Sequence, residues 1–275
     1  MYQIKDKVVL VTGSTAGLGR ELSFQLGLEG AKVILNGRDP DKLDRVAREI
    51  QALGFEAAFI KGDVSSPEEC RKIIDRCIEA FGRLDILINN AGVASAGSFE
   101  ETTPETFRKV FEVNTLGPIN ITRFALPHIR KFRGSVVFIS SLSGLHGMPY
   151  SSLYSGTKMA LTAFAQSLRV ELSGSGVHVG IAYVGFLNNG PEKRVIGPGG
   201  ELQTTGQRER FRLKPMDEAA KSIIRLIRKR KAKIVMSTMG KVLYLGLRFA
   251  PWLIRLILLN TKEKAREICE PLANS

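Results

Sequence analysis

The chain has 275 residues, 44% of them hydrophobic and 24% charged. That is long enough to bury a substantial core in one or two domains, and no short-period repeat or low-complexity tract points to a repeat array. The formal charge of +13 is uneven: residues 1–205 hold 23 Lys/Arg against 21 Asp/Glu, while residues 206–275 hold 17 against 6. No nucleic-acid motif or aromatic platform accompanies the basic end, which sets nucleic-acid binding aside. Cys70 and Cys77 lie about 10 Å apart along one expected helix, beyond disulfide reach, and Cys269 is in the tail. His128, His146 and His178 have no metal-ligand spacing, so neither disulfide nor metal is expected.

In chain order, apolar runs predict strands near residues 7–12, 31–36, 56–61, 85–89, 134–140, 177–183 and 232–236. Helical spacing fills the intervals, with the longest helices near 103–130 and 152–173. This alternation predicts an α/β fold, a Rossmann-type doubly wound parallel sheet of seven strands with helices on both faces. The first strand starts almost at once, without a charged-then-apolar leader, so a reducing, cytoplasmic setting is expected.

After that strand comes Thr12-Gly13-Ser14-Thr15-Ala16-Gly17-Leu18-Gly19, opening a helix over Leu18–Leu28. Glycines there permit a tight turn and close approach of a dinucleotide pyrophosphate, whose charge sits at the helix N-terminus. The second strand ends Leu35-Asn36-Gly37-Arg38. An NAD site commonly has a carboxylate about twenty residues after the glycines. Here Asn36 takes that place and Arg38 can make a charge-assisted contact with a 2′-phosphate, so NADP(H) is favoured over NAD(H), with Ser14 and Thr15 as further donors. Asp39 and Asp41 are expected to start the next helix.

Tyr154 and Lys158 are four residues apart and share one helix face. A free phenol titrates near about 10; a neighbouring ammonium favours the phenolate and suits it to acid–base work. Ser141, at the end of the fifth strand, can donate to a carbonyl oxygen on which charge develops.

In order and spacing, these motifs, with Asn89-Asn90-Ala91-Gly92 after the fourth strand, resemble the classical short-chain dehydrogenase/reductase family over about residues 5–190. The resemblance implies that Tyr154 protonates the alkoxide or deprotonates the alcohol. It implies that Lys158 holds the nicotinamide ribose and tunes Tyr154, that Ser141 polarises the carbonyl and that Asn114 anchors a relay water. It places Asp63, with Val64, at the adenine, and Asn90, Ala91 and Gly92 along the middle of the cofactor. Gly185 and Leu187 match the nicotinamide side, although the family's usual Pro and Thr are absent from Val184-Gly185-Phe186-Leu187-Asn188-Asn189.

His146, Met148 and Tyr150, between Ser141 and Tyr154, are candidate substrate contacts with Phe186; a lid is expected at about 186–214. The domain reading is a catalytic unit over 1–237 and a basic, apolar helical tail over 238–275. Within Val242–Leu259 only Arg248 and Arg255 are charged, and Lys241, Arg248, Arg255 and Lys262 recur every seven residues. One continuous helix would carry them as a stripe, whereas Pro251 favours two short helices. The tail has two readings that do not exclude each other: contact with an anionic membrane surface, or cover for the pocket or an oligomer contact. It resembles the tails of lipid-handling members such as the 3-ketosphinganine-reductase-like branch. The expected activity is NADPH-dependent reduction of a hydrophobic ketone, a long-chain 3-oxo lipid or sterol-like, or the reverse, by a homodimer or homotetramer. The alternatives are a soluble oxidoreductase for a small carbonyl or sugar, and a catalytically silent membrane adaptor.

Overall fold

The computed structural model describes residues 1–188, 194–204 and 213–269. Asn189, much of the expected lid, most of the basic run between Arg208 and Lys214, and the last residues of the tail lie outside that set.

Seven parallel strands form one sheet: β1 (Val8–Thr12), β2 (Lys32–Gly37), β3 (Ala57–Lys61), β4 (Ile86–Asn89), β5 (Ser135–Ser141), β6 (His178–Val184) and β9 (Lys233–Val235). Their order is β3-β2-β1-β4-β5-β6-β9. The chain thus builds outward from β1 to one edge, then returns to the other side of β1. The reversal between β1 and β4 creates a crevice at the carboxyl ends of the strands. The strands are continuous apolar runs because both sheet faces are covered. Alternate residues separate the two cores. Val9, Val11, Val33 and Leu35 face α1 (Gly17–Leu28), α2 (Pro40–Ala52) and α7 (Met216–Arg228). Val8, Leu10, Ile34 and Phe138 face α3 (Pro67–Phe81), α5 (Gly117–Lys131) and α6 (Ser152–Glu171).

Local chemistry sets the helix starts. Asp39, Ser66 and Thr103 each accept a backbone N–H at the N-termini of α2, α3 and α4 (Pro104–Phe111), and each is followed by proline. Such caps satisfy donors that the helix cannot. Asp39 and Asp41 therefore start α2 as their sequence suggested. Asp85 enters β4 fully buried; it accepts from Val8 N at 3.0 Å and from Arg83 Nε at 2.8 Å and Nη2 at 2.6 Å. His178 is also buried, with Nε2 2.9 Å from Lys231 O, and burial lowers its pKa. Burial likewise pushes the Cys70 and Cys77 thiols up to about 12, away from reactivity.

Two features differ from the expected elements. The helix expected over 103–130 is divided by a π-helical turn at Glu112–Leu116, between α4 and α5. A small antiparallel pair, β7 (Arg194–Ile196) and β8 (Leu202–Thr204), lies within the expected lid, its turn formed by Gly197-Pro198-Gly199-Gly200. Ile196 also bridges to Ser95 and packs with Val110 and Leu153, which ties this hairpin to the first turn of α6.

The tail forms α8 (Thr238–Phe249), α9 (Pro251–Asn260) and α10 (Lys262–Cys269). Ala250 leaves helical geometry with φ −142° and ψ 60°, and Pro251 then starts a new helix. The seven-residue basic stripe is thereby split across separate helices. Leu243 packs against the sheet core, and Ile254 is buried against Gly246. Among the described residues, no helix is long and apolar enough to cross a membrane.

Candidate active site

The crevice at the sheet reversal is lined by the turns that follow β1 and β4. Gly13 has φ +64° and Gly17 +56°, the left-handed region that glycine adopts without strain. A Cβ on Gly13 would lie 2.8 Å from Ala91 Cα, and one on Gly19 2.2 Å from Gly13 O. The turns are also joined by hydrogen bonds. Thr12 Oγ1 accepts from the N–H groups of Asn90 and Ala91, each at 3.0 Å. Asn90 Nδ2 donates to Thr12 O at 2.9 Å and Gly13 O at 3.0 Å. At the start of α1, Ala16 offers no side-chain acceptor and the first turn contains no acidic residue. The positive end of that helix is thus suited to an anion, and a dinucleotide pyrophosphate fits the cradle. Leu18 packs beneath it on the core.

The adenosine end has a different arrangement from its sequence reading. Asn36 is buried, and Nδ2 donates to Ile60 O at 3.1 Å and Gly62 O at 3.2 Å. A carboxylate could not make those donations. Ser14 is buried too; its hydroxyl donates to Asn36 O and accepts Asn36 N–H. Both side chains serve the junction of loop and strand. Thr15 is half-buried, while Arg38 is exposed and 3.7 Å from Asp63 Oδ2. Asp63 also accepts from Ser65, and Val64 is buried against Gly117.

The catalytic candidates lie on β5, on the π-helical turn and on α6. Ser141 ends β5; its Oγ accepts from Ser143 N at 3.3 Å and retains its proton for donation. Lys158 on α6 is 5% exposed, with Nζ donating to Ile139 O at 3.1 Å and lying 5.7 Å from the centre of the Tyr154 ring. Burial lowers its pKa from the ordinary 10.5 to about 8. The π-helical turn presents Asn114. Its Oδ1 accepts Val93 N–H at 2.7 Å, and Nδ2 donates to Val93 O at 2.8 Å and Thr157 Oγ1 at 3.2 Å. A Cβ on Gly92 would be 3.2 Å from Asn114 Oδ1 and 3.4 Å from Lys158 Nζ. Asn114, Gly92, Lys158 and Tyr154 therefore converge, and Asn114 fastens the post-β4 turn to α6.

A model of the short chain dehydrogenases matches residues 7–195. The chain belongs to that family. The 11-beta-hydroxysteroid dehydrogenase-like 2 of Arabidopsis thaliana is 40% identical over 187 residues, covering 67% of this chain and 60% of that protein. This chain thus matches somewhat less than two thirds of the plant relative's length. An uncharacterized oxidoreductase of Thermotoga maritima is 35% identical over 238 residues, 86% of each chain. Among solved structures, a short-chain dehydrogenase from Streptomyces avermitilis is similar with a TM-score of 0.78 at 27% identity, covering 95% of this chain and 98% of that one.

A cavity of about 370 Å³ at the start of α6 brings together His146, Met148 and Tyr150. Phe186 is not among its walls. Instead, Phe186 O accepts Lys214 N–H at 3.0 Å, while Leu187 bridges to Lys214 and packs on the core. Gly185 faces Ser237. Tyr150 has φ +54°, a costly conformation for a bulky residue, and its carbonyl accepts Gly97 N–H at 2.9 Å. Sequence reasoning did not name Ser98 and Phe99 after β4, which also line it; Arg255, Leu258, Leu259 and Lys262 in the tail belong to the expected pocket-cover reading, without having been singled out for it. The recurrence of Arg255 and Lys262 at seven residues was the available signal.

Proposed function

We propose that this protein is an NADPH-dependent oxidoreductase that interconverts a hydrophobic ketone, a long-chain 3-oxo lipid or sterol-like compound, and its secondary alcohol. The observation that carries the reading is the sealed Lys158 ammonium facing the Tyr154 ring beside the strand end that bears Ser141. A catalytically silent adaptor has no use for that arrangement.

Ser141 donates to the carbonyl oxygen as negative charge develops on it. Tyr154 delivers the proton to the same oxygen, or removes it in the oxidative direction. Lys158 keeps positive charge beside the phenol, so proton loss from Tyr154 costs less at neutral pH. Asn114 holds the Val93 backbone and Thr157 in register, so that the post-β4 turn and α6 act as one wall. A nicotinamide held there would supply or accept the hydride. Gly13, Gly17 and Gly19 admit its pyrophosphate, Lys158 and Asn90–Gly92 hold the nicotinamide ribose side, and Arg38 and Thr15 select the 2′-phosphate. A preference for NADPH rests on Arg38, because Asn36 leaves no carboxylate to hold a free ribose hydroxyl.

Residues 1–237 serve as the catalytic unit in this reading. The tail covers the pocket with one side and rests on the anionic cytoplasmic face of a membrane with the other. Exposed Val242, Leu245, Phe249, Trp252 and Leu256 and the surplus of basic residues support that role. The hydroxysteroid name of the plant relative favours a bulky apolar substrate. The test is NADPH oxidation with a long-chain 3-oxo lipid, a steroid ketone and a short carbonyl, each with and without anionic vesicles. The bulky ketones should be turned over and the short carbonyl should not. Equal turnover of all three would overturn the substrate class.

A further inference from the structure

The cavity facing α9 has a chemical asymmetry that a neutral ketone leaves unused. Its volume of about 370 Å³ falls within the usual range for small-molecule sites, about 300–1,000 Å³. Phe99, Met148, Leu258 and Leu259 supply apolar walls, and Arg255 and Lys262 enter from the tail. Neither cation has an ion-pair partner among the described residues. Three other basic residues of the C-terminal third do, Lys214 with Glu218, Lys221 with Asp217 and Arg228 with Glu29, whereas Arg225, Lys229, Lys241 and Arg248 share the lack of an ion pair among the described residues; what sets Arg255 and Lys262 apart is that they line the cavity. Glu100 and Glu101 follow Phe99 in sequence, and Glu263 follows Lys262. None of these carboxylates lines the cavity among the described residues. His146 and Tyr150 add hydrogen-bonding groups to the lining.

Arg255 and Lys262 are exposed and have no ion-pair partner among the described residues; a ligand that covers them beside an apolar wall desolvates both charges, which is costly unless it brings an opposite one, so an amphiphile is favoured. The cavity also borders the catalytic turn. Ser152, one of its walls, opens the helix on which Tyr154 lies two residues later, about 3 Å further along the axis. A ligand seated here would have its apolar body between Met148 and Leu258 and its anionic end at α9–α10.

We infer that the substrate of the proposed reaction is an acidic amphiphile, an apolar ketone bearing a carboxylate remote from its carbonyl, and that Arg255 and Lys262 bind the carboxylate. This rests on the ketone-reductase reading and narrows its substrate class. It also gives the tail a role in specificity: α9 and α10 supply the charge that distinguishes an acid from a neutral ketone of equal size.

The experiment compares 12-oxo-octadecanoic acid with its methyl ester on the full-length protein, in vesicle-free buffer. Turnover is followed with NADPH, and binding of each compound is measured separately by calorimetry. The acid should be preferred in kcat/KM by at least ~10-fold, almost entirely through KM. Arg255→Gln with Lys262→Gln should remove the preference, so that acid and ester measured on the same variant have equal kcat/KM. Equal handling of acid and ester by the parent, or a preference that survives in the double variant, would overturn the inference. If neither compound is reduced, the ketone-reductase reading fails for this class, and the calorimetric acid–ester difference still decides the site. A double variant that loses only its binding to anionic vesicles, with acid–ester discrimination intact, assigns the two cations to lipid headgroups and rejects the proposal.

Discussion

The nucleotide-binding half and the C-terminal helices meet water in opposite ways. In the first, strands β1 to β6 are covered on both faces, and the polar side chains around the crevice are largely partnered: Asn36 on β3, Asn90 on the β1 turn, Asn114 on Val93, Asp85 on Arg83, with Asn89 Oδ1 the exception at the end of β4. In the second, Ile254 is buried but Phe249 is 75% exposed and Trp252 69%. Among the described residues, Arg255 and Lys262 have no carboxylate partner. A framework needs satisfied polar groups to fix one geometry; a surface that receives ligands must leave some of its apolar and charged groups uncommitted. In the proposed reading, the difference separates the region that performs the chemistry from the region that chooses what reaches it.

Substitution should expose that contrast most strongly in stability. Asp85→Ala strands Arg83 and the Val8 N–H and should cost about 3–5 kcal/mol in denaturant unfolding. Leu256→Ser on the exposed side of α9 should stay within about 0.5 kcal/mol. Comparable losses would mean that the tail is as tightly integrated as the sheet.

At the cofactor site, Arg38→Ala should weaken NADPH by about 1.5–3 kcal/mol, roughly ten- to a hundredfold, with little change for NADH. Asn36→Asp should not create an NADH enzyme. It removes two buried donations and should destabilise the protein by about 1–3 kcal/mol. An Asn36→Asp protein that is stable and prefers NADH would show that this side chain faces the ribose after all.

Lys158 gives the catalytic half its pH dependence. Burial sets its folded pKa at about 8, below the ordinary 10.5. Ketone reduction should therefore fall as pH rises through about 8 and Lys158 loses its proton, and Lys158→Arg should remove that limb of the profile because guanidinium stays charged. Stability runs the other way. Between about 8 and 10.5 the unfolded chain holds the proton that the folded chain has released, so ligand-free protein should gain stability over that interval. A profile unaffected by Lys158→Arg would assign the limb to another group.

The smallest effect belongs to the exposed face. Trp252 is the chain's single tryptophan, so its emission should shift to the blue with anionic vesicles. Salt should weaken the response, since exposed charges are screened over about 8–10 Å. No shift at low salt would favour a second copy of the chain over lipid as the occupant of that face.

Much of this was legible in the sequence because local chemistry and final structure agree. Each of the seven sheet strands falls within one residue of its apolar run, since a buried parallel strand leaves little choice of residue. The glycine turn and the Tyr154–Lys158 spacing likewise describe a local geometry that the fold preserves. Three features depended on distant contacts. Asn36 and Ser14 read as cofactor groups until β3 and the turn after β1 are placed beside them. The β7–β8 hairpin is too short to carry a periodic signal. The cavity wall from α9 requires the tail to fold back over residues more than a hundred positions earlier, which charge spacing suggested but could not locate.

The central claim is that Tyr154 moves the proton while the rest of the framework binds the cofactor. The most direct test is Tyr154→Phe, with NADPH binding and ketone reduction measured on the same preparation. The phenol oxygen is the only atom lost, so turnover should fall by about 10²–10⁴-fold, with NADPH affinity within about twofold of the parent. A Tyr154→Phe protein that retains most of its reductase activity would contradict the account.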